Sequence, residues 1–307
     1  MLRLSVPAGE RLADAHSFAV HPGGAESNVC AALASLGRRC GWLSRLPDNP
    51  LGEMVLRRLR AARIDLSAVV LAPGGRVGTY YAEFAAAPRP VQVVYDRAHS
   101  AMTEVTREDV DWSYLLDARV LHLTGITPAL GGACRALVGE AVTRAKQAGV
   151  LVSFDVNYRS RLWPPQEAAG ALRDLFAGVD LLICGQDDAR ELFELGGDER
   201  QLLAGLRPLT PARQIVLTRG ESGACALDGD RFLSVPALTA QTIDRFGAGD
   251  AFAAGVIDGW LDGSLAEGLR RGTALAALAL SQAGDMVVTG REEMNALLMA
   301  GGRGILR

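Results

Sequence analysis

Several familiar signatures are missing from this chain of 307 residues, and each gap removes a class of function. No run of about 18 apolar residues is free of charge and glycine, so the sequence offers no membrane span. No signal peptide is read at its start. The five cysteines (Cys30, Cys40, Cys134, Cys184 and Cys225) are odd in number and scattered, and none forms a Cys-x-x-Cys pair. A disulfide framework and a zinc site are therefore not expected. The four histidines, His16, His21, His99 and His122, have no metal-ligand spacing. Charged residues make up 22% and the net charge is −3, with no basic stripe that would suit nucleic acid. There is no internal repeat and no disordered linker. What remains is 49% hydrophobic and long enough for one large domain, or one domain with a small insert. A soluble cytoplasmic protein is the expectation.

From about residue 110 the chain alternates between two patterns. The segments 118–125, 149–156, 179–184 and 213–220 are short runs rich in Val, Ile and Leu, the mark of strands buried on both faces. Helical stretches such as 133–148 and 165–177 lie between them. This alternation predicts an α/β layered fold with a mostly parallel sheet. Earlier, helices are read at 27–36 and 51–62, and RVGTYYAEF (76–84) and PVQVVYD (90–96) form an antiparallel hairpin around a Pro-containing loop. An antiparallel piece in a parallel fold is a candidate lid. A second hairpin is predicted at 225–235 with Asp228-Gly229 at its turn. The last helices are placed at 250–261, 265–283 and 291–299.

Ligands of open α/β sheets bind beyond the carboxyl ends of the strands. The residues to interrogate are therefore Gly125, 157–159, 185–188 and 218–220, together with IDRFGAGDAFAAG (243–255). The first turn of a helix has unpaired N–H groups and a partial positive charge, and glycine lets an anion approach them. Gly247, Ala248 and Gly249 therefore form a candidate oxyanion cradle. An acid beside it, Asp250, repels a bound anion, so phosphate binding alone does not explain the pattern. A general base does, taking the proton from a hydroxyl that attacks a phosphoryl group. Ordinary helix punctuation explains the local pattern equally well, because Asp suits a first turn for its charge alone. The motif is neither a Walker A loop nor a dinucleotide fingerprint.

GAGDAFAAG (247–255), taken with GGAESNVCAALASLG (23–37), resembles the ribokinase-like, or PfkB, family of carbohydrate kinases over essentially the whole chain. The resemblance implies a three-layer α/β sandwich with a mostly parallel central sheet and a small β-sheet lid, inserted from about 8–22 and 74–101. It makes Asp250 the catalytic base and the amides of Gly247, Ala248 and Gly249 the anion hole. YDRAHSA (95–101), LTGITPAL (123–130) and FDVNYRSRLW (154–163) resemble the branch that phosphorylates 2-keto-3-deoxygluconate. Such a sugar acid needs a cation, best supplied by the fork of an arginine. By resemblance Arg97 and Arg159 contact the acid, Tyr80 and Gly24 line the sugar site, and Asn28 lies below it. A solvated hairpin charge remains the alternative for Arg97, and an ion pair with Asp155 the alternative for Arg159. Arg161 and Trp163 are read as fixing their loop, and His99 as a neighbour of the Arg97 segment.

ATP is expected across Thr218, Arg219, Gly220 and Gly223, although a tight turn explains Gly223 as well. Magnesium is implied by phosphoryl transfer. Asp188 stands in the segment that helps organise magnesium in this family, with departures: Gly185 replaces the usual asparagine and Asp188 the glutamate. Asp244 keeps a family acid assigned to a monovalent-cation site or to loop orientation. Arg245 and Phe246 replace common threonines, and Arg245 is either a phosphate contact or a surface charge. Relatives usually carry a central strand ending in Gly-Glu just before the segment that opens here as MLRLSVPAGERL, so that strand is expected to be absent. A homodimer through the lid is also expected. The rival readings are a kinase of this fold for a neutral sugar such as fructose or ribose, and a sugar-binding protein without catalysis.

Overall fold

A computed structural model describes residues 1–85 and 89–300. The middle of the loop expected in the first hairpin, at 86–88, lies outside the described residues. The first third of the chain runs β1 (Leu2–Ser5), β2 (Ala19–Pro22), α1 (Ala25–Ser35), β3 (Ser44–Pro47), α2 (Pro50–Ala61), β4 (Val69–Ala72), β5 (Thr79–Glu83) and β6 (Gln92–Asp96). Helix α2 begins where it does for a local reason. The Asn49 side chain accepts hydrogen bonds from the Leu51 and Gly52 amides, both at 3.0 Å. Pro50 takes the first helical position, where no N–H is needed. Strands β2, β1, β5 and β6 form an outer mixed sheet in that order, with β1 parallel to β5 and β5 antiparallel to β6.

The rest alternates: α3 (Trp112–Leu116), β7 (Val120–Thr124), α4 (Gly132–Ala148), β8 (Leu151–Asp155), α5 (Pro165–Phe176), β9 (Leu181–Gly185), α6 (Gln186–Phe193), α7 (Glu199–Leu206), β10 (Gln214–Thr218), β11 (Ala224–Asp228), β12 (Arg231–Val235), α8 (Ala248–Leu261), α9 (Leu265–Leu280) and α10 (Arg291–Met299). Strands β7 to β10 are parallel neighbours, and β11 and β12 add an antiparallel edge. In β9, Leu182 and Cys184 join the core made with α4 to α7, while Leu181 and Ile183 join the core made with α1, α8 and α9. In β10, Ile215 and Leu217 face the first core and Val216 the second. Both faces are covered, which is why these strands read as continuous apolar runs. The 225–235 hairpin forms, but its two-residue turn is Gly229-Asp230, with the positive φ at Gly229. Helices α8 and α9 touch backbone to backbone. A Cβ on Gly255 would lie 2.4 Å from the Gly272 amide nitrogen, so only glycine permits this approach.

The sheet system has a gap. Strand β3 pairs with β4 alone and β7 with β8 alone, so each leaves one edge without a strand partner among the described residues. A cavity of about 620 Å³ is lined by both edges, including Ser44, Leu46, Val120 and His122, and by Met1. Burial lowers the His122 imidazole to a pKa of about 4; its Nδ1 meets Ser153 Oγ at 3.1 Å, and its Nε2 makes no hydrogen bond. The α-amino group of Met1 is likewise lowered to about 6, chiefly by burial.

Candidate active site

The carboxyl ends of β7, β8 and β9 meet the N-termini of α1, α6 and α8. The entry into α8 is fixed by Gly247, whose φ of 78° lies in the left-handed region. A Cβ there would sit 1.8 Å from the Asp285 carbonyl oxygen, so no other residue fits this turn. A Cβ on Gly249, by contrast, meets nothing within 4 Å. Asp250 follows in the first turn. One of its carboxylate oxygens accepts a 2.7 Å hydrogen bond from Asn28 Nδ2, and the other a 3.4 Å bond from Asn157 Nδ2. Burial raises its pKa to about 6, against the opposing pull of the Asn28 bond and the Arg159 charge.

Asn28 is buried on α1, and its side-chain oxygen has no partner. A buried amide oxygen left open beside the acid is suited to accept a ligand hydroxyl. Gly24 caps α1 with its φ at 157°. Arg97 follows β6 and is half-buried, its guanidinium 4.3 Å from the Tyr95 ring centroid. Burial and the neighbouring Arg159 lower its pKa, while Tyr95 opposes them. Arg159 donates to the Tyr158 carbonyl at 2.8 Å and is exposed. Neither arginine forms an ion pair among the described residues; the alternative pairing of Arg159 with Asp155 does not occur. Instead the Arg159 charge acts at longer range on Asp155, Asp188 and Asp250, offsetting part of the rise that burial gives each pKa. Two cations beside one another with no acid bound to either is an arrangement that lacks an anion.

The other expected residues divide. Asp188 lies in the first turn of α6 and accepts from the Tyr158 amide at 3.3 Å. Burial raises its pKa to about 6. Asp155 is raised to about 8 by burial, then by the charges of Asp250 and Asp188. Asp155 is thus disfavoured by both other acids, yet no group of three acids, histidines or cysteines stands close enough to hold a metal ion among the described residues. Gly220 leaves open space beside it. Gly223 is required by the turn itself, since a Cβ would lie 2.2 Å from the Val235 carbonyl. Arg219 is spent on the protein, reaching Glu199 at 3.3 Å and the Ser222 carbonyl at 3.0 Å.

Tyr80 is buried, and its hydroxyl donates to Asp285 instead of standing free. Of the two readings of Asp244, its contacts are those of loop orientation. One of its oxygens accepts from the Phe246 amide at 3.0 Å, and the other from Gly284 at 3.1 Å while contacting Arg3 at 2.7 Å. Arg245 is exposed, and Phe246 packs on Tyr80 and Phe84. Trp163 does fix its loop, accepting from the Tyr158 hydroxyl through its carbonyl at 3.1 Å. Arg161 ties that loop to the Val93 carbonyl at the outer sheet.

Sequence reasoning missed Arg3, Glu26 and Asp285, and flagged Asn157 only as a strand-end position. The Glu26 carboxylate accepts from the Thr124 and Thr127 hydroxyls at 2.8 and 2.6 Å, tying α1 to the end of β7. Asn157 has one legible sign after folding, a φ of 38° that a non-glycine residue rarely adopts. The others carry no local signal in the sequence.

Comparison with known proteins agrees with this geometry. The model of the pfkB family of carbohydrate kinases matches residues 2–289. The chain is 39% identical to a 2-dehydro-3-deoxygalactonokinase of Haloferax volcanii, covering 100% of this chain and 96% of that one. It is 32% identical to a 2-dehydro-3-deoxygluconokinase of Bacillus subtilis, over 90% of this chain and 85% of the relative. The solved structure of a 2-dehydro-3-deoxygluconokinase from Thermotoga maritima superposes with a TM-score of 0.91 at 34% identity, covering 97% of this chain and 95% of the other. With its helix entry at Gly247 and its acid at Asp250, this chain belongs to the pfkB family of carbohydrate kinases.

Proposed function

We propose that the protein transfers the γ-phosphoryl group of ATP to the C6 hydroxyl of 2-keto-3-deoxygluconate. The observation that carries the substrate is the pair Arg97 and Arg159, two neighbouring cations without an acidic partner beside the Asp250 site. A keto-deoxy sugar acid supplies the missing carboxylate; fructose and ribose do not. The names of the relatives point the same way. In this reading Asp250 removes the proton of the C6 hydroxyl as its oxygen attacks the γ-phosphorus. The amides of Gly247, Ala248 and Gly249 hold the oxygens of the transferring group. Asn28 orients Asp250 and accepts a sugar hydroxyl at its open oxygen, with Gly24 and Tyr80 closing that side. Thr218 and Gly220 border the nucleotide. Asp188 would hold magnesium, which supplies charge neutralisation on the ATP phosphates.

Coupled ADP release with Mg-ATP, comparing the keto-acid with fructose, ribose and adenosine, tests the reading. Arg97→Ala is expected to lower kcat/KM for the keto-acid by about ten- to a hundredfold, the scale of a charged hydrogen bond of roughly 1.5–3 kcal/mol. Equal turnover of fructose, untouched by Arg97→Ala, would leave the arginines without a role. A second reading, the galactonate epimer as substrate, is favoured by the 39% identity to a 2-dehydro-3-deoxygalactonokinase. The same assay with both epimers separates the two.

We also propose that the outer sheet is a lid over this site and the surface of a homodimer. Val94, 52% exposed, and Phe18, 37% exposed, are large apolar side chains left open on it. Sedimentation as a monomer at micromolar concentration counts against the dimer. We propose that the gap between β3 and β7 can seat one further strand. It presents a strand edge on each side and the buried amine of Met1 at its wall. Fusing five or six alternating β-branched residues ahead of Met1 is expected to raise Tm by about 5 °C or more, because stability gains of a few kcal/mol move a protein of this size by that much. A Gly-Ser extension of equal length should not. Equal Tm for both extensions rejects the strand.

A further inference from the structure

Arg3 is the largest fully buried side chain among the described residues, at 1% exposure, and no motif accounts for it. It lies on β1, in the outer sheet, yet its guanidinium reaches across to two acids of the other layer. Nη2 is 2.7 Å from Asp244 and Nη1 is 2.9 Å from Asp285. The rings of Phe246 and Phe84 lie against it, with centroids at 5.2 and 5.6 Å. Its Nε has no partner, and the Nη1–Asp285 approach is a charge contact without hydrogen-bond geometry, since neither Nη1 nor Asp285 Oδ1 makes a hydrogen bond.

Each of the two acids holds part of the α8 entry. Asp244 accepts from the Phe246 amide at 3.0 Å, which sets the turn immediately before Gly247. Asp285 presents its own carbonyl oxygen at the one place where a Cβ on Gly247 would sit. Its carboxylate accepts from the Tyr80 hydroxyl, so β5 of the outer sheet is tied to the same point. The turn is thus gripped from before and from behind, and a single guanidinium lies between the two grips and offsets one of their two negative charges. Without it, two buried carboxylates face each other across the turn, and their repulsion opens it.

We infer that Arg3 is a positioning residue for phosphoryl transfer: it is the built-in cation that holds the Asp244–Gly247 turn, in place of a monovalent ion drawn from solution. It touches neither sugar nor nucleotide and acts through Asp244 and Asp285 on the amides of Gly247 to Gly249. This inference rests on the reading of Asp250 and those amides as the reacting centre. A lysine does not replace it, because a point charge cannot bridge two carboxylates in the way a planar fork does.

The test compares Arg3→Ala and Arg3→Lys with the unmodified protein, measuring kcat and KM for 2-keto-3-deoxygluconate, Tm, and the response to KCl, NaCl and guanidinium chloride at 1–50 mM. Asp250→Asn is run alongside. The unmodified protein is expected to show no dependence on KCl or NaCl. Arg3→Ala is expected to lose about a hundredfold in kcat with KM changed less than threefold, and to regain at least tenfold with guanidinium, which refills the space left by the side chain. If Arg3→Ala fails to fold, Arg3→Lys carries the test: a tenfold or larger loss in kcat with Tm within a few degrees of the original supports positioning. Full turnover in the folded variants, a loss that guanidinium does not recover in folded Arg3→Ala, or more than tenfold stimulation of the unmodified protein by potassium each overturns the inference. An active Asp250→Asn would instead sink the reading of the centre itself, whichever way Arg3 behaves.

Discussion

Asp250→Asn is expected to lower kcat by about 10²- to 10⁴-fold, the usual contribution of a positioned general base. The amide is isosteric, so Tm should change little. It can still meet Asn28 and Asn157 at 2.7 and 3.4 Å after rearranging its donors, so the side chain should remain in place. What it cannot do is accept the hydroxyl proton. The pH profile gives an independent reading of the same group. Burial raises the Asp250 pKa to about 6, and the base works only when ionised. kcat/KM should therefore be flat above about pH 7 and fall roughly tenfold per unit below 6. A sharp acid limb retained in Asp250→Asn would assign that limb to another group, such as Asp188, whose pKa is also raised to about 6, whereas near-normal kcat in that variant would remove Asp250 from the role.

Gly247→Ala is expected to be nearly as damaging, by a different route. The added Cβ would lie 1.8 Å from the Asp285 carbonyl oxygen, a backbone atom that cannot swing aside. The left-handed φ of 78° adds strain for any side chain. The turn must therefore move, and with it the amides that open α8. Misplacing a single oxyanion donor costs about 10²- to 10³-fold in kcat, and that is the expected loss here. Gly249→Ala has open space around its Cβ and should keep its Tm. Gly255→Ala supplies the contrast: it clashes with α9 at 2.4 Å, away from the site, and should lower Tm while sparing kcat of the folded fraction. Near-normal kcat in Gly247→Ala would mean that the α8 entry does not hold the transferring group.

Much of the fold was legible because its cause is local or periodic. The apolar runs of β7 to β10 announced strands covered on both faces, and the first hairpin alternated as an exposed sheet should. Helix α8 was placed to within two residues from its small residues and its acid. The short strands β2, β3 and β4 were not read, because four residues carry too little pattern to separate from loop. Asp244 stays open in the sequence between an ion site and loop orientation, because its charge is visible there and its partners, the Phe246 amide and Arg3, are not. Gly223 showed the opposite case: the modest alternative, a turn that only glycine can make, fits its contacts with the Val235 carbonyl.

The sequence alone determined the alternation of strand and helix, the glycine-rich entry into α8 and the identity of its acid, because each depends on residues within a few positions of one another. It also fixed the presence of two arginines after strand-like segments. Only the tertiary structure decided which charges stand alone. Arg97 and Arg159 are separated by 62 positions, yet the charge of Arg159 helps lower the Arg97 pKa, and neither is ion-paired among the described residues. Arg3 meets Asp244 and Asp285, more than 240 positions away, and has no charge to spare for a ligand. Coulomb interaction acts through space and is strengthened by burial, so neither quantity can be read along a chain. Pairing and desolvation are properties of the packed layers, and they separate an arginine that binds a ligand from one that holds the protein together.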